Sequence, residues 1–113
     1  MKEQKSLKEV CSIAGVTRRM VQGYEKAGLV SATERNKYGY LRYGEYELER
    51  IKQIRWYQLF GFKLREIKDL IDAPADRKRM AMEKQLVKLR EKHLELTNAI
   101  ESAEVLIQSL ENK

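Results

Sequence analysis

Between Ala75 and Leu110 the sequence contains neither glycine nor proline, and Met82, Leu86, Leu89, His93, Leu96, Ile100, Ala103, Ile107 and Leu110 recur there at alternating steps of four and three. Strands repeat every second residue, so this spacing belongs to a helix, and sustained over four heptads it predicts a coiled coil. A helix of that length spans roughly 54 Å, too far for one small domain to cover its apolar stripe. The simplest partner is another copy of the chain. Pro74, the only proline, suits a helix start and not an interior. It marks the expected boundary between a first domain, residues 1–73, and the long helix, residues 74–113.

The first domain opens with Ser6 and Glu9, spaced as a capping box in which each side chain satisfies a backbone amide the helix leaves free. A helix is predicted from Leu7 to Ala14, burying Leu7, Val10, Cys11 and Ala14, with Gly15 ending it. Thr17 then caps a second helix of about ten residues, stopped by Gly28. Met20, Tyr24 and Ala27 fall on its inner side, whereas Arg18, Arg19, Gln22 and Lys26 fall on the other. Two capped helices across a glycine turn make a helix-turn-helix. Arg and Gln on a helix of this size suit the base edges of the DNA major groove.

From Ser31 to Tyr43 the residues suit two short strands joined by a basic tip near Arg35, Asn36 and Lys37, a wing. Tyr38, Arg42, Lys37 and Asn36 are its candidate phosphate contacts. Tyr40 is a candidate too, with packing inside the hairpin the readier reading. A third helix is expected over Glu45–Leu59 with Leu48, Ile51, Trp56 or Arg55, and Leu59 on a mixed apolar face that Ile54 and Tyr57 widen. Gly61 breaks it, Phe62 plugs the core, and Leu64, Ile67, Leu70 and Ile71 define a fourth helix. The fold class is therefore mainly α, a winged helix-turn-helix with a small β-hairpin, followed by one coiled-coil helix.

Charge sharpens this division. Residues 1–73 carry 15 Lys/Arg against 10 Asp/Glu, while residues 74–113 carry 8 against 7, so the positive potential belongs to the first part. The amino terminus is charged and no run of eighteen apolar residues occurs, so neither a signal peptide nor a membrane span is expected. A single cysteine precludes an internal disulfide and fits a reducing cytoplasm. With one histidine, no HExxH, no phosphate-binding glycine loop and no Cys/His cluster, no enzyme, metal or cofactor is expected.

Thr17, the segments GYEKAGL, KYGYLRY and GFKLREIKDLI, and the third-helix pattern occur in an order that resembles the MerR family of transcription regulators. The likeness covers residues 6 to about 72. It implies a winged helix-turn-helix whose long helix pairs antiparallel in a homodimer. Such dimers sit on pseudo-palindromic promoter DNA between the polymerase contact elements and bend and untwist an overlong spacer, which makes double-stranded DNA and RNA polymerase expected partners. Family members often carry an effector-sensing domain after the long helix; a short form without one is expected here. Gln22 and Gly23 stand where the family commonly has Arg and Tyr, and Leu41 where it has Arg. Lys63 replaces the usual Ser or Thr cap of the fourth helix and becomes a candidate phosphate contact. The cysteines that metal and redox members place near the start of the dimer helix are absent.

Other residues have plainer readings. Cys11 is expected to be a buried, inert thiol, His93 a seam position half open to water, and Met80 and Met82 gap-filling core. Two alternatives to the promoter regulator share its fold: a protein-interaction module with weakened DNA binding, and an architectural DNA-bending protein of a mobile element.

Overall fold

Ser6 serves two elements at once. The computed structural model describes residues 4–112, and in it Ser6 closes the two-residue strand β1 (Lys5–Ser6) while capping α1 (Leu7–Ala14). Its Oγ accepts from the Glu9 amide at 3.1 Å and its own amide donates to Glu9 Oε1 at 2.9 Å, the reciprocal pair the spacing predicts. After Gly15, whose φ of 68° ends α1 in the left-handed region, come α2 (Arg18–Lys26), β2 (Glu34–Arg35), β3 (Leu41–Tyr43), α3 (Glu45–Leu59), α4 (Leu64–Leu70) and α5 (Ala75–Glu111). The chain divides after Pro74 into two compact units. This is the expected mainly helical architecture with a wing and a long final helix.

The wing holds three strands, not two. β3 is central, paired antiparallel with β1 through Lys5–Tyr43 and Ser6–Arg42 and with β2 through Glu34–Arg42 and Arg35–Leu41. Below it lies one core, in which Val10, Val21, Tyr24, Tyr43, Ile51, Ile54 and Ile67 are fully buried. Each such side chain removed from water contributes about 1.5–3 kcal/mol before the entropy of ordering it is set against it. Phe62 is half-buried against this core, its ring edge-on to Tyr57 with centroids 5.9 Å apart. Arg50 ties the unit together. Its Nε donates to the Leu29 carbonyl at 2.7 Å and its two terminal nitrogens grip both Asp72 oxygens at 2.6 and 2.9 Å, so one fork links α3 to the segments following α2 and α4.

Several expectations need correction. Tyr40 is 70% exposed. Side chains along a strand alternate, and Tyr40 falls out of phase with Leu41 and Tyr43, so Tyr43 enters the core in its place. Trp56 and Leu59 are each 61% exposed, because the buried stripe of α3 runs through Leu48, Ile51 and Ile54, and Trp56 lies about 140° around the helix from Ile51. Met80 is 63% exposed and fills no gap, since the core is closed without it. Cys11 is half-buried.

α5 is one unbroken helix of 37 residues. Its seam lies open: Leu86, Leu96, Ile100, Ile107 and Leu110 are between 43% and 61% exposed. Leu89 and Met82 are half-buried and His93 is exposed. No helix among the described residues is long and apolar enough to cross a membrane.

Candidate nucleic-acid interface

α2 is fixed from behind and bare in front. Thr17, extended at φ −94° and ψ 161°, accepts from the Met20 amide through Oγ1 at 3.0 Å, while the Met20 sulfur weakly accepts from the Thr17 amide at 3.5 Å. Val21 and Tyr24 are buried, and the Tyr24 hydroxyl donates to Gln58 Oε1 at 2.6 Å, which sets the roll of α2 against α3. Arg18, Arg19, Gln22 and Lys26 consequently point to solvent. Gly23 departs from tight packing: a Cβ placed there meets no atom within 4 Å.

The wing is attached to this helix at its base. The Tyr43 hydroxyl donates to Glu25 Oε1 at 2.6 Å, and burial, reinforced by that carboxylate, holds the phenol well above the ordinary tyrosine range. At the other end the tip is shaped by one side chain. Asn36 Oδ1 accepts from the amides of Tyr38 at 2.9 Å and Tyr40 at 3.0 Å, while its own amide donates to the Tyr40 carbonyl at 2.9 Å. Gly39, at φ 83°, makes the left-handed step that this turn requires. Lys37 stacks its ammonium 5.1 Å from the centre of the Tyr38 ring, which is 71% exposed.

Between the start of α2 and the wing runs a groove of about 430 Å³ lined by Lys8, Arg18, Arg35, Asn36, Tyr40 and Arg42, with Ser6, Leu7, Gly39 and Leu41 completing its walls. The lining holds four cations and no carboxylate, so it favours an anion. Two of the guanidiniums are oriented by the fold: Arg35 Nη1 donates to the Gly39 carbonyl at 2.8 Å and Arg42 Nη2 to the Gln4 carbonyl at 2.7 Å. The structure thus brings Arg18, Asn36, Tyr40 and Arg42 to one place. Thr17, Arg19, Gln22, Lys26, Lys37, Tyr38 and Lys63 are not in its walls. Lys63 is exposed at the start of α4, where its amide donates to Glu66 Oε1 at 2.9 Å. Lys8 and Arg35 also line the groove, beyond the contacts expected from the sequence. Lys8 becomes relevant only because β1 pairs with β3 and brings the start of α1 beside the wing.

Cys11 lies near Arg18, but burial is the larger influence and pushes its thiol up, which favours the protonated form. No cluster of His, Cys, Asp or Glu among the described residues could hold a metal ion.

Comparison with known proteins adds to this geometry. Residues 5–74 match the family described as MerR HTH family regulatory protein, and residues 48–113 the one described as MerR, DNA binding. The chain is similar to the HTH-type transcriptional activator TipA of Streptomyces coelicolor, 40% identical over 70 residues, which are 62% of this chain and 28% of that protein. To a probable heavy metal-dependent transcriptional regulator of Haemophilus influenzae it is 31% identical over 108 residues, covering 95% of this chain and 83% of the other. Among solved structures, the amino-terminal part of the multidrug transporter activator Mta from Bacillus subtilis superimposes with a TM-score of 0.71 at 28% identity, covering 91% of this chain and 97% of that one.

Proposed function

Because this chain belongs to the MerR family of helix-turn-helix regulatory proteins, we propose that it is a homodimeric regulator of transcription that binds a pseudo-palindromic site in promoter DNA. Residues 1–73 are the DNA-binding domain and residues 74–113 the dimerisation helix. α2 enters a major groove and presents Arg18, Arg19, Gln22 and Lys26 to base edges and backbone. The wing grips a flanking phosphate through Arg42, Tyr40 and the tip, with Lys37, Tyr38 and Lys63 reaching further along the strand. A dimer holding two such units on one duplex can offset the cost of bending or untwisting it with its contacts, and RNA polymerase at the promoter is a proposed partner. It acts by binding, in the cytoplasm, with no catalytic step.

The observation that carries this reading is the groove in which Arg18 of α2 meets Arg35 and Arg42 of the wing with no acidic residue in the lining. Selection of duplexes from a random pool tests it. An inverted repeat should emerge, bound far more tightly than a scrambled duplex. With about ten phosphate contacts per dimer, affinity should fall about 10³- to 10⁵-fold between about 50 and 200 mM salt. Equal affinity for repeat and scrambled DNA would overturn the sequence-specific reading, and Arg18→Ala with unchanged affinity would remove Arg18 from the contacts.

A further inference from the structure

Resting on the DNA-binding reading above, we infer that Lys8, at the start of α1, binds one backbone phosphate of the duplex in the groove between α1, α2 and the wing. This makes α1 a third grip on DNA, one that ignores base sequence. Ser6 pairs with Arg42 in the sheet, and that pairing carries the first turn of α1 to the wing, where Lys8 lines the same groove as Arg18, Arg35 and Arg42. None of these cations is paired with a carboxylate among the described residues.

The helix itself gives Lys8 no partner. A helical lysine finds a carboxylate three or four places along, and those places hold Cys11 and Ser12. The adjacent Glu9 is engaged elsewhere, its Oε1 accepting from the Ser6 amide at 2.9 Å. A cation in the first turn also opposes the helix dipole, so Lys8 works against the stability of the free unit. An anion among the cations of the groove offsets both penalties.

The walls say which anion. Leu7 and Leu41, both partly buried, and the exposed Tyr40 ring give the groove an apolar side. Arg35 and Arg42 each commit one donor to a backbone carbonyl and keep the others for a ligand. Cations beside apolar surface match a sugar–phosphate unit, with the deoxyribose against the leucines and the phosphate among the charges. Such a contact is alike at every step of the duplex, so it adds affinity without adding preference.

Lys8→Ala in the full chain, titrated against salt with the selected inverted repeat and with scrambled duplex, tests the contact. Each dimer loses two phosphate contacts, so affinity for the repeat should fall about tenfold or more near about 100 mM salt, and the logarithmic salt slope should become shallower by about two. The ratio of repeat to scrambled affinity should stay within about twofold of the wild type, and Lys8→Arg should bind like the wild type. The denaturant midpoint of the first unit should hold or rise in Lys8→Ala, since the conflict with the helix dipole is gone, whereas a lysine that props up the fold would lower it. A duplex with one uncharged methylphosphonate linkage, moved step by step along the flank, should at one position weaken the wild type and leave Lys8→Ala unaffected. An unchanged salt slope, a changed ratio, a lowered midpoint, or equal weakening of both proteins at every linkage would overturn the Lys8 contact while leaving DNA binding standing. A wild type that binds no duplex would overturn the DNA-binding reading itself, and this contact with it.

Discussion

Ile51 and Leu96 are aliphatic residues near the middle of their helices, yet the first is fully buried and the second 61% exposed. Around Ile51 the chain supplies its own cover: α1, α2, α4 and β3 converge on α3, and Arg50 fastens the segments that follow α2 and α4. Around Leu96 the described residues supply little, because α5 is a single unbroken helix with its seam open for most of its length. The two regions use the same helical spacing of apolar residues to opposite ends. One stripe makes a domain, and the other asks for a second molecule.

The contrast can be broken most severely at Ile51. Ile51→Ala should cost about 2–5 kcal/mol of unfolding free energy, read as a lower denaturant midpoint for the first unit that does not change with protein concentration. Leu96→Ala should behave differently. Its cost, about 2–3 kcal/mol, should appear in association, with the dimer dissociating at higher concentration by sedimentation while the first unit keeps its midpoint. A fall in that midpoint equal to the one from Ile51→Ala would show that the two regions are one cooperative body. Gly23→Ala should stabilise the first unit by about 1 kcal/mol, since α2 gains a better helix former and the new methyl has open space. A destabilisation measured by the same melts would mean that another group approaches Gly23 closely.

The smallest effect is alkaline. Burial is the chief cause that holds the Tyr24, Tyr43 and Tyr57 hydroxyls above the ordinary tyrosine value. A raised folded value means that the unfolded chain loses these protons first. Their contribution is therefore complete below about pH 10 and declines as pH rises through that value toward the folded ones. Denaturant midpoints of the first unit should fall between about pH 9 and pH 11, and Tyr43→Phe should make the decline shallower. An unchanged slope would mean that the Tyr43 proton contributes nothing.

Local signals are legible in this sequence, and distant ones are not. The limits of α1 and α3, the Ser6–Glu9 box, the Thr17 cap and the break at Gly61 all depend on residues within a few places of each other. Strand β1 escaped because Lys5 and Ser6 are polar and their pairing with Tyr43 and Arg42 spans most of the unit. The same long reach hid Lys8 and Arg35, which belong to the groove only once that sheet has formed. Arg18, Asn36, Tyr40 and Arg42 are legible as candidates from charge and turn chemistry, although Tyr40 faces solvent and does not pack inside the hairpin. Trp56 and Leu59 show a further limit: a helix with more apolar residues than one face can hold does not say which of them will be covered.

The turn from Asn36 to Tyr40 is held by hydrogen bonds, two of them to one side-chain carbonyl, while Tyr43 pins the strand beneath it. Exchanges at Lys37 and Tyr38 thus alter what the tip offers without disturbing what carries it. Descendants of such a chain can drift toward new targets at this spot, generation by generation, while inheriting the scaffold unchanged.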